Sequence, residues 1–287
     1  MSISGKAKLA GVIGWPVAHS LSPQLHSYWL AAHAIDGAYI PLPVVREDFA
    51  RVVAALQRAG FAGVNVTVPH KEAAFAVAHD LDEAAQLAGA VNLLLFREGG
   101  RIEGRNTDAD GLAASLTEDL GKGWLTGKDV VLVGAGGAAR GATVALAKLG
   151  AREIRIVNRT QAHAETFARA APPHIKARLK VFSWTDFAPA ASGTALLLNA
   201  TSAGMAGSPA LDLALDALPV NAAVCDIVYN PLDTDLLTRA RAGGHRTIDG
   251  LGMLMHQAVP AFAAFYGETP KVTPALRAEL KKALRHG

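Results

Sequence analysis

Asp129-Val130-Val131-Leu132-Val133-Gly134-Ala135-Gly136-Gly137-Ala138-Ala139 decides the fold of this 287-residue chain. The run from Val130 to Val133 is short, apolar and β-branched, the pattern of a buried strand. Glycines at 134, 136 and 137 follow in a G-x-G-x-x-A arrangement, and an alanine-rich helical stretch then reaches Gly150. A strand, a glycine turn and a helix in that order gather backbone N–H groups and the positive end of a helix dipole at one point. Such a point receives a pyrophosphate. Gly134, Gly136, Gly137 and Ala138 are therefore candidate cofactor contacts.

Working outward, the next strand is expected over 153–157 and ends at Asn158-Arg159-Thr160. NAD-binding folds place an acid about 20 residues beyond the glycines, where it bonds the ribose hydroxyls. An acid there would repel a 2′-phosphate, whereas the planar guanidinium of Arg159 attracts one. The reading is NADP rather than NAD. Further strands are expected over 195–199 and 224–228, and strands spaced by helices imply a parallel sheet with right-handed crossovers.

The first third also alternates. A strand is expected over 9–13, then a helix opened by Ser22 as N-cap and Pro23 as its first residue. Residues 39–44 read as a proline-interrupted edge strand, 47–58 as a helix, and 64–68 as a β-branched strand with Asn65 and Thr67 on one face. Pro69 begins the next helix. Residues 90–96 and 101–105 flank Glu98-Gly99-Gly100, a hairpin signal. From Gly250 the tail is helical, with Leu251, Leu254, Met255 and Ala258 on one face. Composition does not say which domain that tail packs on.

Charged residues make up 18% and apolar residues 51%, which excludes a disordered chain. The net charge of +3 is spread without a Lys/Arg block, so nucleic acid is not an expected partner. Lys6 and Lys8 precede a short apolar stretch that Trp15-Pro16 interrupts, which reads as a strand rather than a signal peptide. No run reaches the roughly 18 apolar residues of a membrane span. The one cysteine, Cys225, lies in an apolar run and reads as core, in keeping with a cytoplasmic location. With no HExxH, no CxxC and ten scattered histidines, no metal site is expected. Tyr39, Trp15, Trp124 and Trp184 read as packing residues, and His26 and His256 as core or surface groups.

Several polar strings sit at strand ends. Ser20-Leu21-Ser22-Pro23 offers two hydroxyls at a helix start, either a carboxylate seat or simple capping. Asn65-Val66-Thr67-Val68-Pro69-His70-Lys71 ends with a lysine in a first helical turn, where the dipole disfavours a cation. A structural preference alone would not choose lysine there. Val91-Asn92 and Asn106-Thr107-Asp108 complete the set, and a carboxylate near Lys71 would hold its ammonium for proton transfer to an alcohol oxygen.

Together with Asn199-Ala200-Thr201-Ser202, Asp226-Ile227-Val228-Tyr229 and Gly250-Leu251-Gly252-Met253 with Gln257, these strings resemble the shikimate dehydrogenase family, in the family's order from residue 20 to 257. The resemblance implies an α/β protein of two domains. Residues 1–109 with 249–287 would form a substrate domain, its C-terminal helices returning to it, and 110–248 a Rossmann-type, doubly wound NADP domain. It implies reversible reduction of 3-dehydroshikimate to shikimate, with Lys71 as acid/base and Asp108 as its partner. Ser20, Ser22 and Tyr229 would meet the substrate carboxylate. Asn65, Thr67, Asn92, Asp108 and Gln257 would hold ring hydroxyls. Asn158, Arg159 and Thr160 would clamp the adenosine phosphate, and Thr201, Ser202 and Met253 would line the nicotinamide half. The partner is a small molecule, not nucleic acid or membrane, and the protein a monomer or homodimer.

Three positions depart from the family pattern. Leu93 stands where threonine is usual, Ala109-Asp110-Gly111 follows Asp108, and His163 replaces a second phosphate-binding basic residue. These leave room for a paralogue that oxidises quinate or a related cyclohexane polyol, with NAD as an alternative cofactor. A nucleotide-sensing protein without turnover is a third reading, against which both Lys71 and Asp108 are present.

Overall fold

Each alternating half of the sequence builds its own six-stranded sheet in the computed structural model, which describes residues 3–171 and 175–286. The chain divides into two units, Met1–Thr107 with Leu254–Gly287, and Asp108–Met253.

Unit 1 begins β1 (Lys8–Gly14), α1 (Ser22–Ala32), β2 (Gly37–Pro43), α2 (Phe49–Arg58), β3 (Gly63–Val66) and α3 (Lys71–Val77). It continues β4 (Asp80–Leu81), α4 (Glu83–Ala88), β5 (Leu93–Phe96) and β6 (Ile102–Arg105). The sheet runs β2-β1-β3-β5-β6-β4. β1 lies parallel to β2 and β3, while β5 is antiparallel to both its neighbours. β2 is the edge strand its prolines predict: Pro41 and Pro43 cannot donate to a second neighbour. The β5–β6 hairpin turns through Gly99 and Gly100, both at positive φ.

Two local expectations are corrected. Leu21, not Ser22, occupies the cap position of α1, and no side chain caps it. β3 stops at Val66, so Thr67 lies beyond the strand, and α3 starts at Lys71 after a turn closed by His70 N–H donating to Thr67 C=O at 2.9 Å.

Unit 2 contains α5 (Asp108–Leu120), β7 (Asp129–Val133), α6 (Gly137–Lys148), β8 (Glu153–Val157), α7 (Gln161–Arg169) and β9 (Arg178–Phe182). It continues α8 (Phe187–Ala191), β10 (Leu196–Asn199), β11 (Ala223–Asp226), α9 (Asp235–Ala242) and β12 (Arg246–Ile248). Every pairing is parallel and the order is β12-β11-β10-β7-β8-β9. Counted within the unit, that is the 3-2-1-4-5-6 order of dinucleotide-binding sheets, with its switch point between β7 and β10. Being covered on both faces, β7 is buried along its whole length. Cys225 is buried in β11, and burial pushes its thiol up.

The opposite ends of these strands are clamped by charge. Asp129 opens β7 and Glu153 opens β8, and both side chains are buried. Arg152 forks onto Asp129 with two bonds of 2.8 Å. Arg155 bridges Asp129 at 2.9 Å and Glu153 at 2.7 Å, and Arg178, at the start of β9, reaches Glu153.

α10 (Gly250–Tyr266) carries the chain back into unit 1, followed by α11 (Pro274–His286). Phe262, Phe265 and Tyr266 pack with Trp29 and Tyr39 in an aromatic cluster. Trp29 Nε1 donates to Lys271 C=O at 3.2 Å, and Tyr266 donates to Ala38 C=O at 3.0 Å. These contacts settle where the tail packs, which composition left open. Trp15 is corrected: it is half exposed rather than packed. His70 is fully buried, stacked on Phe49 with Nε2 2.7 Å from Val44 C=O, and so belongs to the core.

Candidate functional site

In unit 1 the polar strings converge on the region where β1 and β3 end. Gly14 ends β1, and a Cβ there would lie 2.5 Å from Thr67 Cγ2, so only glycine lets the Thr67 side chain come this close. Thr67 is half-buried and its N–H donates to Ile13 C=O at 2.9 Å. Asn65 is buried in β3. Its Oδ1 accepts from the Tyr39 hydroxyl at 2.8 Å and its Nδ2 donates to Asn92 C=O at 3.2 Å. Asn92, also buried, acts as a hub. Its Oδ1 accepts from Thr107 N–H at 2.8 Å, and its Nδ2 donates to Thr107 Oγ1 at 2.9 Å and to Gln257 Oε1 at 3.3 Å.

Gln257 stands on α10, and its own amide donor, Nε2, is turned back to Leu254 C=O at 3.1 Å. Thus three amides that lie far apart in sequence share one hydrogen-bonded network. A buried amide left unpaired costs roughly 1–3 kcal/mol, so such a network fixes each side chain's orientation. Ser22, buried at the start of α1, hydrogen-bonds Tyr39, while Ser20 Oγ accepts from Ser22 N–H at 3.3 Å. Lys71 begins α3, half-buried, and its C=O accepts from Val91 N–H at 2.9 Å. That bond ties it to the residue preceding Asn92. Asp108 opens α5 in unit 2, directly after Thr107 in the chain, and is buried. Tyr229 follows β11 in unit 2 and is half-buried.

The switch point of unit 2 carries the second set. Gly134 adopts φ +113°, and a Cβ there would sit 2.9 Å from Thr201 Cγ2 and 3.2 Å from Ala200 C=O. The loops after β7 and β10 meet at this glycine. Gly136 and Gly137, by contrast, would point a Cβ into open space. Their backbone lies bare at the N-terminus of α6, a cradle that a side chain would fill. Thr201 is held by its own motif: its N–H and hydroxyl donate to Asn199 Oδ1 at 3.0 and 2.7 Å. Asn199 Nδ2 donates to Asp226 Oδ1 at 2.9 Å, and the Thr234 hydroxyl donates to Asp226 Oδ2 at 2.8 Å. Burial pushes the Asp226 carboxyl up, against the Val228, Thr234 and Asn199 hydrogen bonds that lower it.

Ser202 is exposed and Met253 half-buried. At the end of β8, Asn158 Nδ2 donates to Thr160 C=O at 2.8 Å, leaving Arg159 and Thr160 exposed on the turn. His163 is exposed in the first turn of α7. The bare glycine backbone, the missing acid and the exposed arginine fit a 2′-phosphorylated dinucleotide. Among the described residues no group of three or more His, Cys, Asp or Glu could hold a metal ion, and no helix is long and apolar enough to cross a membrane.

Residues 12–94 match the family model described as the shikimate dehydrogenase substrate binding domain, and residues 115–203 match that described as shikimate / quinate 5-dehydrogenase. A curated relative from Paramagnetospirillum magneticum, named shikimate dehydrogenase (NADP(+)), is 50% identical over 96% of this chain and 99% of its own length. The chain belongs to the shikimate dehydrogenase family. A solved shikimate dehydrogenase in complex with NADP+ is 32% identical, covers 99% of this chain and 97% of its own, and superposes with a TM-score of 0.88. A quinate dehydrogenase from Corynebacterium glutamicum in complex with NAD is 28% identical over 97% of this chain and 99% of its own, with a TM-score of 0.85.

Within this family frame, sequence reasoning misses four residues that the structure builds into hydrogen-bonded networks, two in unit 1 and two in unit 2. Thr107 lay inside a quoted string but was given no role. Tyr39 was read as packing, although its hydroxyl reaches Asn65. Asn199 and Asp226 sit in two quoted strings, and the signal that marks them is a polar residue at the end of an otherwise apolar buried strand.

Proposed function

We propose that this NADP-dependent enzyme interconverts 3-dehydroshikimate and shikimate, with Lys71 and Asp108 as its acid–base pair. The observation that carries the reading is near-full-length identity of 50% to a relative named shikimate dehydrogenase (NADP(+)), joined to the presence of Lys71 and Asp108. NADPH, when bound, supplies the hydride to the keto carbon.

The chain's own residues do the rest. Lys71 gives its proton to the oxygen on which negative charge develops, and takes it back in the oxidative direction. Asp108 orients the ammonium. Ser20, Ser22 and Tyr229 receive the ring carboxylate. Asn65, Thr67, Asn92 and Gln257 hold the ring hydroxyls, with Asn65, Asn92 and Gln257 already oriented by their mutual bonds. Gly134, Gly136, Gly137 and Ala138 cradle the pyrophosphate. Asn158, Arg159 and Thr160 take the 2′-phosphate, and Thr201, Ser202 and Met253 border the nicotinamide. Residues 1–109 with 249–287 serve the substrate and 110–248 the cofactor. The lone buried cysteine supports a cytoplasmic setting, as monomer or homodimer.

A second reading, a quinate-oxidising enzyme using NAD, is favoured by His163 at the place of a second phosphate-binding basic residue and by the likeness to the quinate dehydrogenase. Initial rates with shikimate and quinate, each with NADP and NAD, separate the two. The expected result is a large preference for shikimate with NADP, and Lys71→Ala lowers kcat by roughly 10²–10⁴-fold while the protein stays folded. Better turnover of quinate with NAD would give the second reading its case.

A further inference from the structure

The Asn65 carboxamide is oriented from both sides by groups that leave it no choice. Asn92 C=O can only accept, so Nδ2 must face it, at 3.2 Å. Oδ1 is thereby turned to the Tyr39 hydroxyl, 2.8 Å away, which must donate. Asn65 is 7% exposed, and its second Nδ2 hydrogen has no partner among the described residues. Tyr39 is itself 4% exposed on the edge strand β2. Its ring lies face to face with the His26 imidazole, centroids 3.9 Å apart and planes 7° apart. Burial pushes His26 down to about 3, so the imidazole is neutral, and its Nδ1 has no hydrogen-bond partner. Burial also pushes the Tyr39 phenol up, so its proton stays on. The same phenol oxygen meets the Ser22 hydroxyl.

We propose that Tyr39 is a positioning residue for the substrate, its hydroxyl locking the Asn65 amide so that Asn65 offers the ring a hydrogen-bond donor and never an acceptor. The inference rests on the functional reading above and deepens it. Without the Tyr39 proton, Oδ1 loses the one donor it has among the described residues and the amide gains a reason to turn. A turned amide would present an oxygen to a hydroxyl that now needs a donor. Tyr39 also connects two subsites, because Ser22 and Asn65 both bond its oxygen. The stacked, neutral His26 ring holds the phenol in its plane without competing for its proton.

Steady-state kinetics on shikimate with NADP tests this, using the unmodified chain, Tyr39→Phe, Asn65→Ala and the double variant. Tyr39→Phe should raise the KM for shikimate roughly tenfold, the consequence of a buried acceptor left unpaired. It should leave the KM for NADP in place and change kcat by a smaller factor. In the Asn65→Ala background the same change should add nothing, since the group it orients is gone. An unchanged shikimate KM overturns the inference. So does an equal penalty with and without Asn65, or a rise in both KM values together. Should Tyr39→Phe fail to fold, His26→Leu removes the stacked ring while keeping the hydroxyl. It is expected to raise the shikimate KM by a smaller factor, again only when Asn65 is present, and a flat result there overturns the inference equally. Absence of turnover by the unmodified chain on shikimate would overturn the functional reading and this inference with it; turnover with a flat Tyr39→Phe overturns the inference alone.

Discussion

Polar groups in unit 1 are enclosed and oriented by one another, whereas the start of α6 and the turn after β8 in unit 2 present exposed backbone and an exposed arginine. Asn65, Asn92 and Thr107 are all buried, and each is aimed by a neighbour's donor or acceptor. Arg159, Thr160 and Gly136 face solvent. The difference accords with what each half would recognise in the proposed function. A small polyol offers only hydroxyls, which water also offers, so discrimination demands preset donors and acceptors in a dry place. A dinucleotide brings phosphate charge, which a bare helix terminus and one surface guanidinium attract without enclosure.

Three substitutions press on this contrast. The largest effect is expected from Gly136→Val. It puts a side chain into the open cradle and should lower kcat/KM for NADP by roughly a hundredfold, the scale of a misplaced reactant. Because nothing lies within 4 Å of that Cβ, the melting temperature should hold. Loss of fold instead would mean the loop is structural, like the enclosed network. Asn92→Ala comes next and should do the reverse. It removes the acceptor of the buried Thr107 N–H and one donor to Gln257 Oε1, and should cost roughly 1–3 kcal/mol in urea unfolding, besides weakening shikimate binding. An unaltered unfolding midpoint would show that the network is not under tension to stay ordered. Arg159→Ala is expected to be the mildest, raising the KM for NADP roughly tenfold and leaving that for NAD untouched, as loss of a charge-assisted contact at an exposed site should. Equal losses with both cofactors would deny Arg159 a role in choosing between them.

Legibility followed the range of the physical signal. The stretch 129–157 could be read because strand, glycine turn and helix are each specified by neighbours in sequence. β4 (Asp80–Leu81) and β12 (Arg246–Ile248) could not, since two or three residues carry no periodicity and owe their state to pairing with β6 and β11. At the start of α1 the pattern Ser-Pro predicts a cap at Ser22, but Leu21 holds that position and no side chain caps the helix. Within the candidate site, Lys71 was visible as a cation at an unsuited helix position. The bond between Asn92 and Gln257 spans 165 residues and leaves no local trace. Only the family resemblance brings those two residues together.

The clamp at the far ends of β7, β8 and β9 ties the sheet of unit 2 to acidity. Bonds from Arg152 hold the Asp129 carboxyl below its ordinary range against the burial that raises it. Burial likewise pushes Glu153 up, and Arg155 and Arg178 more than reverse it. Carboxyls depressed in the folded chain favour folding above their unfolded values near pH 4, and that favour drains away as pH falls through the lower folded values. Unfolding in that range takes up protons, because the released carboxyls regain their ordinary affinity for them. Amides of β7 and β8 should therefore keep slow hydrogen exchange down to about pH 4 and lose it progressively below. In this sheet the Arg-clamped end that anchors the strands gains stability from ionised carboxylates and gives it up in acid.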